Sequence, residues 1–287
     1  MPETRLLSVA TGLSRAALEW GGDDPTLEHT VVLVHGFLDL GWGFAPMVES
    51  GLAGRYHVVA PDMRGHGDSD RVGAGGYYHF MDYVADLASV VELVGRSQVS
   101  LVGHSMGGSV AAYYAGAFPE RVSRLALLEG LGPPEDDAGA PERARAWVLA
   151  WQRARQASGS GYASVDAAAE RLLAGDPLLG AELASFLAER ATRRDEDGRR
   201  RFKHDPVHLT RGPYPFRMDV ALQFWRAVTC PVLLVEGEKS PFRSLENLEQ
   251  RVNAFRNPER VVLPGAAHML QRHAPAELAR ILCEFLG

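Results

Sequence analysis

Ser105 stands in Gly103-His104-Ser105-Met106-Gly107, directly after the apolar run Val99–Val102 and at the start of a helical pattern from Met106. A strand, a sharp turn bearing serine and a helix together present a hydroxyl as a nucleophile. Gly103, Gly107 and Gly108 supply the missing side chains that such a turn demands. The N-terminal N–H groups of the following helix point toward charge developing near the serine. A hydroxyl attacks poorly until a base takes its proton. His268, in Gly265-Ala266-Ala267-His268-Met269, follows the last strand pattern and precedes the last helix. A loop there returns the imidazole over the strand ends, whereas His273 falls at the start of that helix and is expected at the surface. His104 should point away from Ser105.

The elements that would position these groups alternate. Val31–Val34, His57–Ala60, Val99–Val102, Arg124–Leu128, Val232–Val235 and Arg260–Leu263 are short apolar runs without polar alternation, as in strands buried on both faces. Helical patterns at Phe44–Leu52, Met81–Val94, Met106–Phe118, Leu245–Phe255 and Pro275–Phe285 separate most of them. This predicts a mostly parallel sheet with helices on both faces. Two segments around Thr11-Gly12 predict an edge hairpin. From about Gly132 to Ala227 no core strand is legible. Helices are expected there at Glu142–Gln156, Val165–Ala174 and Leu178–Arg190, with a solvated turn in the charged run Arg193–Arg201. An insertion of that size is a subdomain, most simply a helical cap (132–227) over a core formed by 1–131 and 228–287.

These pieces resemble the α/β-hydrolase superfamily over essentially the whole chain. His35-Gly36-Phe37, Asp62-Met63-Arg64-Gly65-His66-Gly67-Asp68-Ser69, the Ser105 turn, Val232–Gly237 and Ala267-His268 carry the match. The resemblance implies the α/β-hydrolase fold, an eight-stranded sheet with a helical cap inserted after the sixth strand, and the chain order Ser, acid, His. It implies backbone N–H groups of Phe37 and Met106 as an oxyanion hole. Most similar members carry an Asp three residues past the glycine ending the seventh strand, but here that position is Ser240. A variant of the superfamily moves the acid to the end of the sixth strand, where this chain has Glu129. The missing Asp and the extra Glu explain one another, so Glu129 is the expected acid, with Glu238 or Glu236 next.

A serine nucleophile disfavours epoxide hydrolase and haloalkane dehalogenase chemistry, which needs a carboxylate there. Acyl transfer to water remains, and the closest resemblance is to capped carboxylesterases and serine-hydrolase-like members, whose caps Arg201–Pro206 and Tyr214–Arg217 resemble. The same three residues also serve carbon–carbon, thioester or perhydrolase chemistry, and a ligand-sensing receptor is a further alternative. Most cap aromatics should pack the cap on the sheet. Leu38, Trp147, Trp151, Phe216 and Trp225 are the expected pocket residues, favouring an apolar acyl or alcohol group. Arg143, Arg145, Arg153 and Arg155 read as a solvated helix face.

Across 287 residues with a formal charge of −6, nothing points to nucleic acid. No apolar run is long enough to span a bilayer, and no secretory segment is evident at Met1–Leu7. Asp62–Ser69 lacks the residues of a phosphate loop and reads as a turn at the strand ends. Cys230 and Cys283 read as small buried residues rather than a bridge. The expectation is a cytoplasmic monomer or homodimer acting on a small-molecule ester, without metal or cofactor.

Overall fold

The apolar runs form the interior of one sheet. The computed structural model describes residues 1–136, 138–156 and 161–287. Strands β1 (Glu3–Ser8), β2 (Ser14–Trp20), β3 (His29–Val34), β4 (His57–Pro61), β5 (Gln98–His104), β6 (Arg124–Leu128), β9 (Val232–Gly237) and β10 (Glu259–Leu263) build it. Their order is β1-β2-β4-β3-β5-β6-β9-β10. The edge hairpin β1–β2 and the β2–β4 pair are antiparallel, and the remaining pairs are parallel.

Alternate residues of each central strand feed opposite faces, as the pleat requires. Val32, Val34, Val59 and Leu101 join one core with α2 (Phe80–Val94) and α3 (Met106–Ala117). Val31, Leu33, Val58 and Val102 join the other with Phe44, Met47 and the terminal helix α10 (Pro275–Leu286). Because both faces are covered, these strands read as unbroken apolar runs. β10 departs from that expectation. It closes the sheet, and its Val262 is exposed.

Two expected helices are shorter or less regular than their patterns. The 41–52 stretch is a 3-10 turn, a brief α1 (Ala45–Met47) and a wide π turn. Pro46 lacks a donor, and Gly51 brings the chain against Ala279 of α10. In place of a helix over Leu245–Phe255 there is a 3-10 turn, Pro241–Ser244, and then α8 (Leu248–Val252).

Between β6 and β9 lie α4 (Ala140–Gln156), α5 (Val165–Gly175), α6 (Ala181–Ala191) and α7 (Met218–Ala227). The charged run forms a hairpin, β7 (Thr192–Arg194) with β8 (Arg200–Phe202), rather than only a turn. Gly198, at φ +76°, lies in its connection. Helices α5 and α6 share a small core of Ala168, Ala184, Leu187 and Ala188. The sequence pattern missed α7. Its inward face, Met218, Ala221, Leu222 and Trp225, packs into the same core as α3, ahead of residue 227. Arg143 and Arg155 also depart from a solvated face: Arg143 donates to Gly212 O and Arg155 to Gly76 O. Among the described residues no helix is long and apolar enough to cross a membrane. Cys230 and Cys283 are both free and half-buried.

Candidate active site

Ser105 follows β5 in a backbone conformation that L-residues avoid, φ +52° and ψ −121°. Its N–H donates to Leu128 O at 2.9 Å, so the end of β6 holds the turn in place. The neighbouring glycines are compulsory. A Cβ on Gly107 would run into the Val34 carbonyl oxygen, and one on Gly108 would meet Gly130 Cα. Strain of this kind costs on the order of 1–3 kcal/mol and persists only where packing over-determines it.

The alignment of strand ends brings the three expected residues together. Glu129, just past β6, also has a positive φ, +55°, and its N–H donates to Val235 O of β9. Its carboxylate side chain is 1% exposed. Gly237 N donates to Glu129 Oε1 at 2.6 Å and Ser240 Oγ to Oε2 at 2.5 Å. His268, in the loop after β10, places Nε2 3.0 Å from Ser105 Oγ. On the other side of the ring, Nδ1 lies 3.6 Å from Glu129 Oε2. With Nε2 accepting from the serine hydroxyl, the proton of the neutral ring belongs on Nδ1, facing Glu129. The two other acid candidates are turned elsewhere. Glu238 accepts from Gly265 N, and Glu236 pairs with Arg260.

The His35–Leu38 loop lies against the serine turn, since a Cβ on Gly36 would sit 3.1 Å from Ser105 Cβ. Neither Phe37 N–H nor Met106 N–H, the first of α3, has an acceptor among the described residues. The Asp62–Ser69 segment, read as a turn, also buttresses this loop. His35 Nε2 accepts from Met63 N, His66 Nε2 accepts from Leu38 N at 3.2 Å, and Asp62 Oδ1 accepts from Gly41 N. Leu38 itself sits at φ +58°. Burial pushes the His66 imidazole well below its ordinary range. It also pushes His208, stacked 3.8 Å from Tyr78, down to about 4.

His104, expected to turn from the serine, bonds the backbone of the His268 loop. Its Nε2 donates to His268 O at 2.8 Å. Burial and the neighbouring His268 push His104 down to about 3, so it is neutral. His273, expected at the surface, is instead inside. Its side chain is 4% exposed and bonds Asp176 of the insertion.

The expected pocket residues scatter. Leu38 belongs to the His35–Leu38 loop. Trp147 and Trp151 stack on each other at 6.0 Å, with Trp147 also edge-on to Tyr77, so they pack α4 on the loop before α2. Phe216 lies against Gly132 and beneath the Arg251 guanidinium. Trp225 is fully buried and stacked on Phe255, because the amphipathic α7 turns it into the core. The aromatic rings at the site are Phe242, 4.8 Å from the His268 ring, and Phe37, 48% exposed beside His208. Sequence reasoning missed Ser240, Phe242 and His66 as partners of the site. The vacant acid position at 240 was the available signal for the first. Among the described residues no group of three His, Cys, Asp or Glu side chains converges as a metal site.

Comparison with known proteins agrees with this architecture. A family model described as the alpha/beta hydrolase fold matches residues 29–274. A serine hydrolase-like protein of Dictyostelium discoideum is 26% identical, covering 98% of this chain and 80% of its own length. The crystal structure of a hypothetical protein from Pseudomonas aeruginosa superposes with a TM-score of 0.87 at 32% identity, covering 99% of both chains. A thioesterase domain from the curacin biosynthetic pathway gives 0.85 at 27% identity, again covering 99% of both chains. With the sheet order, the serine turn and a family match across most of its length, the chain belongs to the α/β-hydrolase family.

Proposed function

We propose that this protein is a serine hydrolase that cleaves carboxylic esters through an acyl-enzyme, with Ser105 as nucleophile, His268 as base and Glu129 as acid. The observation that carries this reading is the 3.0 Å approach of His268 Nε2 to Ser105 Oγ, with a buried carboxylate on the far side of the same ring. Ser105 Oγ attacks the ester carbonyl while its proton passes to His268 Nε2. The negative charge that develops on the carbonyl oxygen is met by the N–H groups of Phe37 and Met106. Collapse expels the alcohol, which takes the proton from His268. Water then enters, gives a proton to Nε2 and bonds to the acyl carbon; the bond from that carbon to Ser105 Oγ breaks, Nε2 returns the proton to Oγ, and the acid leaves. The Glu129 carboxylate stabilises the imidazolium in both halves. Exposed Phe37 and half-buried Leu38 and Phe242 favour an apolar group beside the reacting carbon.

The test is covalent labelling by a fluorophosphonate together with turnover of short p-nitrophenyl esters. Ser105→Ala is expected to abolish the label and to lower turnover by about 10⁴-fold or more. Full turnover by that variant would overturn the assignment. Thioester hydrolysis is the second reading, favoured by the similarity to the curacin-pathway thioesterase domain. The same steps would expel a thiol. An acyl-thioester panel read beside the oxygen esters separates the two.

A further inference from the structure

The loop that carries His268 is held at three consecutive residues. Lys239 N donates to Ala266 O at 2.8 Å, from the end of β9. His104 Nε2 donates to His268 O at 2.8 Å, from the serine turn. Between them, Ala267 N donates to His273 Nδ1 at 3.1 Å. The first two anchors belong to the core. The third continues outward, because His273 Nε2 lies 2.8 Å from Asp176 Oδ1, at the C-terminal end of α5 in the helical insertion. Both side chains are nearly sealed, at 4% and 12% exposed. An Nδ1 that accepts the Ala267 N–H cannot also carry the ring proton of the neutral imidazole. That proton is therefore on Nε2 and points at Asp176. Burial by itself would raise the Asp176 carboxyl, but the hydrogen bond from His273 holds it below the usual carboxylate range. His273 lies on α9 (Leu270–His273), which the core grips through Arg272 and Gln271 on Asp39.

We infer that His273 is a positioning residue, through which the placement of the helical insertion on Asp176 sets the loop that aims His268 at Ser105. This rests on the ester-hydrolase reading only for its kinetic consequence. The mechanical link is independent of the substrate. Any shift of α5 away from α9 releases the imidazole, and with it the acceptor that fixes the amide adjoining His268. The insertion is thereby tied to the base from behind the reacting atoms.

Two amide substitutions separate the two ends of the link. His273→Asn places an oxygen near the position of Nδ1, keeping an acceptor for Ala267 N–H while cutting the contact to Asp176. His273→Gln places an N–H near the position of Nε2, keeping the contact to Asp176 while removing the acceptor. Asp176→Ala cuts the outer contact from the other side. Hydrogen exchange of the peptide 264–270 reads the loop without any turnover. We expect His273→Gln to speed exchange at Ala267 by about tenfold or more, and Asp176→Ala to do so by less. For kinetics, kcat is expressed per fluorophosphonate-titrated site, so that loss of folded protein is not counted. Asp176→Ala and His273→Asn are each expected to lower kcat by about 5- to 50-fold, with KM for a small acetate ester within about twofold. The double variant should be no worse than the lower single, since both cut one contact. Unchanged exchange at Ala267 in His273→Gln would overturn the inference, as would fully multiplicative kinetic effects. A loss confined to Tm, with kcat per site intact, would also overturn it. A wild-type protein that fails to cleave esters would instead sink the functional reading, and the exchange experiment would still decide the link.

Discussion

Ser240 Oγ donates across 2.5 Å to Glu129 Oε2, the same carboxylate oxygen that stands 3.6 Å from His268 Nδ1. The position where the resemblance leads one to expect the acid is thus occupied by a donor to the proposed acid, Glu129. Ser240 is 6% exposed and caps the following 3-10 turn through Phe242 N, and Phe242 lies against the His268 ring. One short turn therefore touches both Glu129 and His268.

Glu129→Gln keeps one acceptor oxygen, for Gly237 N–H, turns the other oxygen into an amide that donates to Ser240 Oγ, and removes the charge that steadies the imidazolium. Turnover is expected to fall by about 10²- to 10⁴-fold with Tm shifted by only a few degrees. Glu238→Gln, whose side chain bonds only the Gly265 amide among the described residues, is expected to leave turnover within about twofold. Because Ser240 Oγ already reaches the Glu129 carboxylate, a carboxyl at 240 would occupy nearly the same space. Glu129→Ala should therefore be rescued by about tenfold or more when Ser240→Asp is added. Steady-state kinetics on these four variants beside the wild type checks the three statements, and an inactive double variant would break the equivalence of the two positions.

His66 supports the loop that offers Phe37 N–H. His66→Phe keeps an aromatic ring but leaves Leu38 N–H without its acceptor, at a cost of about 1–3 kcal/mol. The loop is then free to drift, and kcat is expected to fall by about tenfold to a hundredfold with KM nearly unchanged. Urea unfolding and initial rates measured on one preparation would separate the stability loss from the rate loss.

Burial also makes stability depend on pH. In the folded chain His104 titrates at about 3 and His208 at about 4, both below the ordinary 6.5, because burial disfavours the cation. Between those values and 6.5 the unfolded chain binds protons that the folded chain refuses. Stability is therefore complete above about 6.5 and is lost as pH falls through that range. Each such histidine contributes a slope of about 1.4 kcal/mol per pH unit within its window. His208→Gln should flatten urea-derived stability against pH by one proton between pH 6 and 4.5. An unchanged slope would show that His208 does not remain neutral in the folded chain.

Arg251 is fully buried, and among the described residues no carboxylate lies within ion-pair distance of it, Glu135 acting on it only from farther off. Its Nη1 donates to the carbonyls of Leu131, Gly132 and Pro133, and its Nε donates to Asn247. These carbonyls begin the segment that leads from Glu129 into the insertion. Arg251→Met removes their shared donor and is expected to cost about 3 kcal/mol. Calorimetry should show a matching drop in Tm, and an unaltered Tm would mean that the three carbonyls find other donors.

What the sequence determined by itself follows from local chemistry. Gly103, Gly107 and Gly108 around Ser105 admit little besides a crowded turn, and the unbroken apolar runs admit little besides doubly covered strands. His268 was legible from its place between the last apolar run and the last helix, and Glu129 from the family resemblance and its place directly after a run; the register of neighbouring parallel strands carries these strand ends to one edge. Tertiary structure decided what depends on contacts between distant segments. The contacts that set Glu129 apart from Glu238 and Glu236, Gly237 N–H and Ser240 Oγ folded back onto its carboxylate, come from other segments. Trp225 looked like a pocket residue until α7 turned it onto Phe255, because amphipathic spacing shows that one face is buried but not against what. His273 looked like a surface residue until Asp176 reached it from the insertion. Periodicity reports the burial of a side chain along its own element, whereas the partner of a polar group is set by where another element docks.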